Sequence, residues 1–290
     1  LGGRTPDMHS FACSNSEEIG KCDCPDQKCT LPSVLLTVAG SDPTAGAGLQ
    51  ADLKTVTALG GYGVTAVTAI TVQDTRQVYR VVPVPGELVA QQMRACLNEL
   101  PVQGIKLGML ATQEIVMAVA AVLAEWPTIP VVADPVLAGT GGGTLLDAGG
   151  RVALLQHLLP RITLLTPNVP EAAALTGRSI TSADQREAAL RQLAEISGQS
   201  VLLTGGHVAG EEVTDLLWDK GQLHTFTHSR ISGGPFHGTG CTLASAIALG
   251  LAQGKSMPEA VQRAQQWVRR TMLESLALGK GQRLLHVQQK

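Results

Sequence analysis

Short apolar runs alternate with segments of helical spacing along most of this chain, and glycine, proline or an acid marks nearly every changeover. That rhythm restricts the fold more than any other feature. Ser33–Ala39 (SVLLTVA) reads as a buried strand between Pro32 and Gly40. A glycine-rich loop follows, and Leu49, Leu53, Val56 and Leu59 then fall at helical spacing before Gly60-Gly61. The pattern repeats: strand Val64–Val72, helix Gly86–Leu100, strand GIKLGML, helix Thr112–Trp126, strand PVVADPV, helix Arg151–Leu158 and strand Ile162–Thr166. Pro170 opens a helix that Gly177 ends, helix Asp184–Ile196 leads into VLLTGG, and Val213–Trp218 with Leu223–Thr227 reads as a hairpin. A final helix is expected over Pro258–Ala277.

Such β-α-β repetition is satisfied most economically by a mainly parallel sheet with helices on both faces. Ligands of such sheets bind beyond the carboxyl ends of the strands. The residues emerging there are Gly40 to Asp42, Gln73-Asp74, Gly108-Met109, Asp134 to Val136, Asn168 with Glu171, Gly205 to His207, and Gly238 to Cys241. Singly, each has an ordinary reading. Asp134 can simply end a strand, and Asn168 to Glu171 can be a helix cap.

The sharpest segment is GGPFHGTGCTLASAIALG, residues 233–250, where Gly238-Thr239-Gly240-Cys241 directly precedes an apolar helix ending near Gly254. A helix N-terminus offers unpaired N–H groups and partial positive charge, and glycines admit an anion to the backbone. Cys241 in the first turn is expected to have a lowered thiol pKa and to serve as base or nucleophile. A turn before a core helix, with a packed cysteine, is the plainer alternative.

Composition limits the partners. With 44% hydrophobic residues and 3% aromatic ones, 290 residues can bury one large core. The net charge of −2 comes from 22 basic and 24 acidic residues without charge blocks, which argues against nucleic acid or a membrane surface. No apolar stretch is long enough to span a membrane and no leader segment is evident, so a cytoplasmic protein is expected. Cys13, Cys22, Cys24 and Cys29 crowd the N-terminus with a spacing that matches no paired zinc motif. Residues 1–31 are therefore read as a flexible, metal-free extension and residues 32–290 as one domain. Gly46-Ala47-Gly48-Leu49-Gln50-Ala51 fits a dinucleotide fingerprint, but Gly40–Ala45 separate it from the strand, which argues against a dehydrogenase.

In order along the chain stand AGSDPTAGAGLQADLKTVTALGGYG, ITVQDT, IKLGML, ADPVLAGTGG, TPNVPEAAALTG, LLTGGH and HGTGCT. Over Val34 to Leu278 the sequence resembles the hydroxymethylpyrimidine and phosphomethylpyrimidine kinases of thiamine biosynthesis, within the ribokinase-like superfamily. The resemblance implies a three-layer α/β/α domain, ATP and a pyrimidine as substrates, Mg2+ as cofactor, and a homodimer. Residue by residue it implies Cys241 as catalytic base and Gly238, Thr239 and Gly240 as the anion hole. Gln73, Gly40, Asp42, Ala47, Met109 and Val136 match the pyrimidine pocket, and Asn168, Glu171, Thr204 and Gly206 the ATP side. Asp134 and Glu171 match the surroundings of the metal, held mostly through water.

Two departures stand out. A lysine common in relatives is Thr204 here, and another is missing from Leu137-Ala138-Gly139-Thr140. These losses leave open a catalytically silent pyrimidine sensor. Pyridoxal kinase is the other rival, because relatives share HGTGC.

Overall fold

A computed structural model describes residues 31–139 and 143–287. The N-terminal cysteine cluster and Thr140 lie outside the described residues. From Ser33 onward the chain forms one unit.

Strand β1 (Val34–Ser41) is buried along almost its whole length, as a continuous apolar run in the middle of a parallel sheet requires. Helix α1 (Gly48–Ala58) returns the chain to β2 (Tyr62–Gln73), which pairs with β1 in parallel. Then follow β3 (Val78–Pro83), α2 (Gly86–Glu99), β4 (Val102–Leu107), α3 (Gln113–Glu125), β5 (Val131–Ala133) and α4 (Ala148–Ala153). The chain continues through β6 (Leu164–Leu165), α5 (Val169–Thr176), α6 (Ala183–Ser197), β7 (Ser200–Leu203), β8 (Glu212–Asp219) and β9 (Gln222–Ser229). It closes with β10 (Phe236–His237), α7 (Thr239–Ala252), α8 (Met257–Leu273) and β11 (Arg283–Leu284).

Nine strands form one sheet in the order β3-β2-β1-β4-β5-β6-β7-β8-β9. The pairs from β2 to β7 are parallel, while β3, β8 and β9 pair antiparallel at the two edges. One core layer packs α2 to α6 against the sheet through Met93, Ile115, Leu158 and Leu190; the other packs α1, α7 and α8 through Val56, Ile247 and Val261. Each such side chain removed from water contributes about 1.5–3 kcal/mol. The result is the three-layer α/β/α architecture expected from the sequence.

Several elements differ from the sequence reading, among them the short pair β10 and β11, which no local pattern announced. Strand β3 was not expected: its alternation is weak because most of its residues are exposed. The helix expected over Arg151–Leu158 starts at Ala148, where Asp147 caps it, and widens at Leu154–Leu158 before a tight turn at Leu159–Arg161. Helix α8 stops at Leu273, four residues before Ala277, since the segment beyond it turns back to pair β11 with β10.

Candidate active site

Every site residue expected from the sequence borders one cavity of about 790 Å³ at the carboxyl ends of the parallel strands. It has one end at β1, β2 and β4, a middle beneath α7, and a far end bounded by β8 and β9.

At the first end, Gly40 lets the Met109 sulfur approach, since a Cβ there would lie 3.1 Å from it. Thr68 Oγ1 donates to the Met109 carbonyl at 2.6 Å and fixes that turn. Ala47 and Val136 supply apolar wall, and Gln73, at the end of β2, supplies the amide. Asp42 also borders the cavity, yet its carboxylate is committed to the protein. It accepts from the Thr44 N–H at 2.8 Å, the Ala47 N–H at 2.8 Å and the Gly46 N–H at 3.2 Å, and meets His237 Nε2 at 2.9 Å. Burial opposes its charge, but His237, Gln73 and these backbone donors hold it well below the usual carboxylate range. Asp42 therefore organises the β1–α1 loop.

The His237–Asp42 contact also joins the β1–α1 loop to the anion-hole turn. Gly238 caps α7 with φ +83°, and a Cβ there would collide with the Gly46 carbonyl oxygen. Only after Gly238 does the ladder begin, with the Thr242 N–H reaching the Gly238 carbonyl at 3.0 Å. The N–H groups of Thr239, Gly240 and Cys241 thus belong to the first turn of α7, whose geometry can accept an anion.

Cys241 stands where the sequence places it, part-exposed at the third position of α7. Its protonation is a correction. Burial pushes the thiol up to about 12, with Asp52 and Asp134 adding to that rise, while Lys106 and the Gly48 N–H pull it down. The helix terminus alone does not overcome enclosure between two carboxylates, so in this state the thiol carries its proton.

Asp134 follows β5, and its Oδ2 would lie 3.1 Å from a Cβ at Gly240. Burial first and Glu171 second raise its pKa to about 7, against the pull of Lys106. Glu171 is raised too, by burial, although the Asn168 and Leu137 N–H groups favour its anion. Asn168 and Glu171 form a reciprocal capping box, with both hydrogen bonds at 2.9 Å. The ordinary reading of that motif is thus correct locally, and both residues face the cavity as well. Asp134, whose pKa Glu171 raises, and Glu171 itself are a hard oxygen donor set in need of positive charge, and they fit a magnesium ion.

At the far end, Thr204 donates its N–H to the Pro167 carbonyl at 2.9 Å, which holds β7 against the start of α5. Arg230 clasps the loop after Gly206 by donating to the carbonyls of Gly206 at 2.9 Å and Gly210 at 2.7 Å. Asp215 accepts from the Gly205 N–H and from Gln265 Nε2, both at 2.7 Å. Arg230 and Arg269 also border the cavity.

The sequence reading gave no role to His237, Asp215, Arg230 or the buried Lys106. Of these only Lys106 left a local sign, as a lone cation in the apolar strand IKLGML.

Solved structures share this fold. Pyridoxal kinase of Bacillus subtilis, in an ADP complex, superposes with a TM-score of 0.80 at 30% identity and covers 88% of this chain and 98% of its own. Phosphomethylpyrimidine kinase of Clostridium difficile gives a TM-score of 0.73 at 33% identity, covering 83% and 99%. Among curated proteins, the hydroxymethylpyrimidine/phosphomethylpyrimidine kinase of Rhizobium meliloti is 41% identical over 88% of this chain and 97% of its own length. The thiamine biosynthesis bifunctional protein ThiED of Geobacter sulfurreducens is 44% identical over 85% of this chain, which spans half of that longer protein. A family model described as phosphomethylpyrimidine kinase matches residues 42–286, from the committed Asp42 to beyond the anion hole, and the chain belongs to that family.

Proposed function

We propose that this protein transfers the γ-phosphoryl group of ATP to the hydroxymethyl group of 4-amino-5-hydroxymethyl-2-methylpyrimidine, and then phosphorylates the monophosphate to the diphosphate. One observation carries this reading: the anion hole of α7 lies in a single cavity between the Gln73–Met109 end and the Asn168–Thr204 end. That order suits an acceptor ring, a transferring phosphoryl group and a nucleotide. In phosphoryl transfer, positioning and charge neutralisation matter more than covalent chemistry.

In this proposal Gln73 hydrogen-bonds the aminopyrimidine, with Gly40, Ala47, Met109 and Val136 enclosing it. The N–H groups of Thr239, Gly240 and Cys241 receive the phosphoryl oxygens. Cys241 acts as thiolate and takes the hydroxymethyl proton as the new P–O bond forms. Asn168, Glu171, Thr204 and Gly206 would border the ATP phosphates, and Asp134 and Glu171 would hold Mg2+. A magnesium ion there would offset negative charge on the phosphates.

The finer setting belongs to the same proposal. Residues 1–31 are an extension and residues 32–290 the catalytic domain. The exposed apolar face of β2 and β3, with Tyr62, Ile70, Val72, Tyr79 and Val82, supports pairing with a second copy as a homodimer. Free Cys96 and Cys241, together with the demand for ATP, support a reducing cytoplasmic location.

Pyridoxal kinase is the second reading, favoured by the TM-score of 0.80 to the pyridoxal complex from Staphylococcus aureus. ADP release should be compared for the pyrimidine, its monophosphate, pyridoxal and ribose, with magnesium varied. The two pyrimidines should be preferred. Preference for pyridoxal would establish the second reading, and pyrimidine binding without turnover would make the protein a sensor.

A further inference from the structure

Beneath the anion hole lies a charged cluster that the phosphoryl-transfer scheme does not use. Lys106, on β4, has no solvent exposure, and its Nζ donates to both oxygens of Asp52 at 2.9 Å. Asp52, on α1, also accepts from Thr37 Oγ1 at 2.5 Å and from Ser245 Oγ at 2.8 Å. Strands β1 and β4 and helices α1 and α7 therefore meet at one carboxylate.

The register of the two helices gives this cluster its meaning. Gly48 is the first residue of α1 and Asp52 lies one turn on; Cys241 is in the first turn of α7 and Ser245 lies one turn on. The Gly48 N–H serves the Cys241 sulfur, and the Ser245 hydroxyl serves Asp52. Two successive turns of α1 and α7 are thereby tied together, with the lysine closing the inner tie. Gly108 leaves room for that ammonium, since a Cβ there would lie 2.8 Å from Nζ. Burial works against the charge of Lys106, but Asp52 above all, with Asp134, keeps it protonated.

A buried ion pair is a poor device for stability, because desolvation consumes much of the attraction. Fully enclosed under the transfer site, it supplies something an apolar pair cannot: a fixed positive charge whose field reaches Cys241 and Asp134. We propose that Lys106, held by Asp52 and tied to α7 through Ser245, is a positioning residue for phosphoryl transfer that orients the anion-hole turn and offsets the negative charge gathering there. This rests on the kinase reading above.

Either single substitution would strand a buried charge, so the working variant is the double Lys106→Met/Asp52→Asn, which keeps the shapes and removes both charges. Steady-state kinetics are run beside wild type, with whichever acceptor wild type phosphorylates, and thermal melts monitor folding. The expected result is kcat lowered roughly 10²-fold, KM for ATP and acceptor within about threefold of wild type, and a melting temperature close to wild type. A double variant with wild-type kcat overturns the proposal. So does a fall in kcat that only follows the unfolded fraction, or an equal loss through KM. Should the double variant not fold, Ser245→Ala decides, because it removes the tie to α7 and leaves the ion pair intact. It should lower kcat several-fold at unchanged KM, and unchanged kcat overturns the proposal. Wild type that turns over none of the acceptors refutes the kinase reading instead, which separates the two failures.

Discussion

If Cys241 acts as a thiolate, the rate of the free enzyme must follow pH steeply through the alkaline range. With the thiol pushed up to about 12, only about one molecule in 10⁴ is ionised at pH 8, and each further pH unit raises that fraction about tenfold. Because kcat/KM reports the free enzyme's essential groups, it should climb about 100-fold between pH 7.5 and 9.5 without a plateau. The assay is coupled ADP release at subsaturating pyrimidine and saturating ATP and magnesium, at constant ionic strength. Cys241→Ala should lower kcat about 10²- to 10⁴-fold, the range of a lost general base, with binding little changed, and should lose the slope. Cys241→Asp should recover part of the loss, limited by the shorter reach of a carboxylate. A wild-type profile that levels off near pH 8 would refute the thiolate and point to Asp134, whose pKa of about 7 leaves it ionised above that pH. Near-normal turnover of the alanine variant would reduce Cys241 to a packing residue.

Two further outcomes test the loop that frames the site. Asp42→Asn should cost about 1–3 kcal/mol at pH 7, by weakening a buried hydrogen-bond cluster. Because the folded pKa of Asp42 lies below its unfolded value near 3.8, its stabilisation is full above that value and is lost as pH falls through the folded one. The gap between wild type and variant in urea unfolding should therefore narrow below about pH 4, and a gap independent of pH would refute the assignment. Gly238→Ala places a side chain at φ +83° and into the Gly46 carbonyl, so the anion-hole turn must shift. A displacement of that kind should cost about 10²-fold in kcat/KM, and near-normal kinetics would show that the turn is not held by that contact.

The order of strands and helices was legible because it is written in local periodicity. Buried parallel strands such as SVLLTVA need continuous apolar residues, and α1 and α7 start where glycines permit it. The residues at the strand ends followed from topology, and most of them border one cavity. Exposed β3 escaped because an edge strand need not alternate, and α8 was read too long because only the pairing of β11 with β10 ends it.

What each site residue does was a different matter. His237 and Asp42 lie 195 residues apart, and Lys106 and Asp52 lie 54 apart. No window of sequence brings such partners together. Position at a helix terminus suggested a low thiol pKa for Cys241. Tertiary enclosure reversed that by stripping water from the thiol between two carboxylates, and it surrounded the Asp42 carboxylate with donors that no local window shows. The sequence by itself determined which side chains arrive at the site, since delivery depends on local pattern. Their charge states and partners were decided only by the folded structure, because electrostatic energy depends on distances in space and on the water that folding excludes.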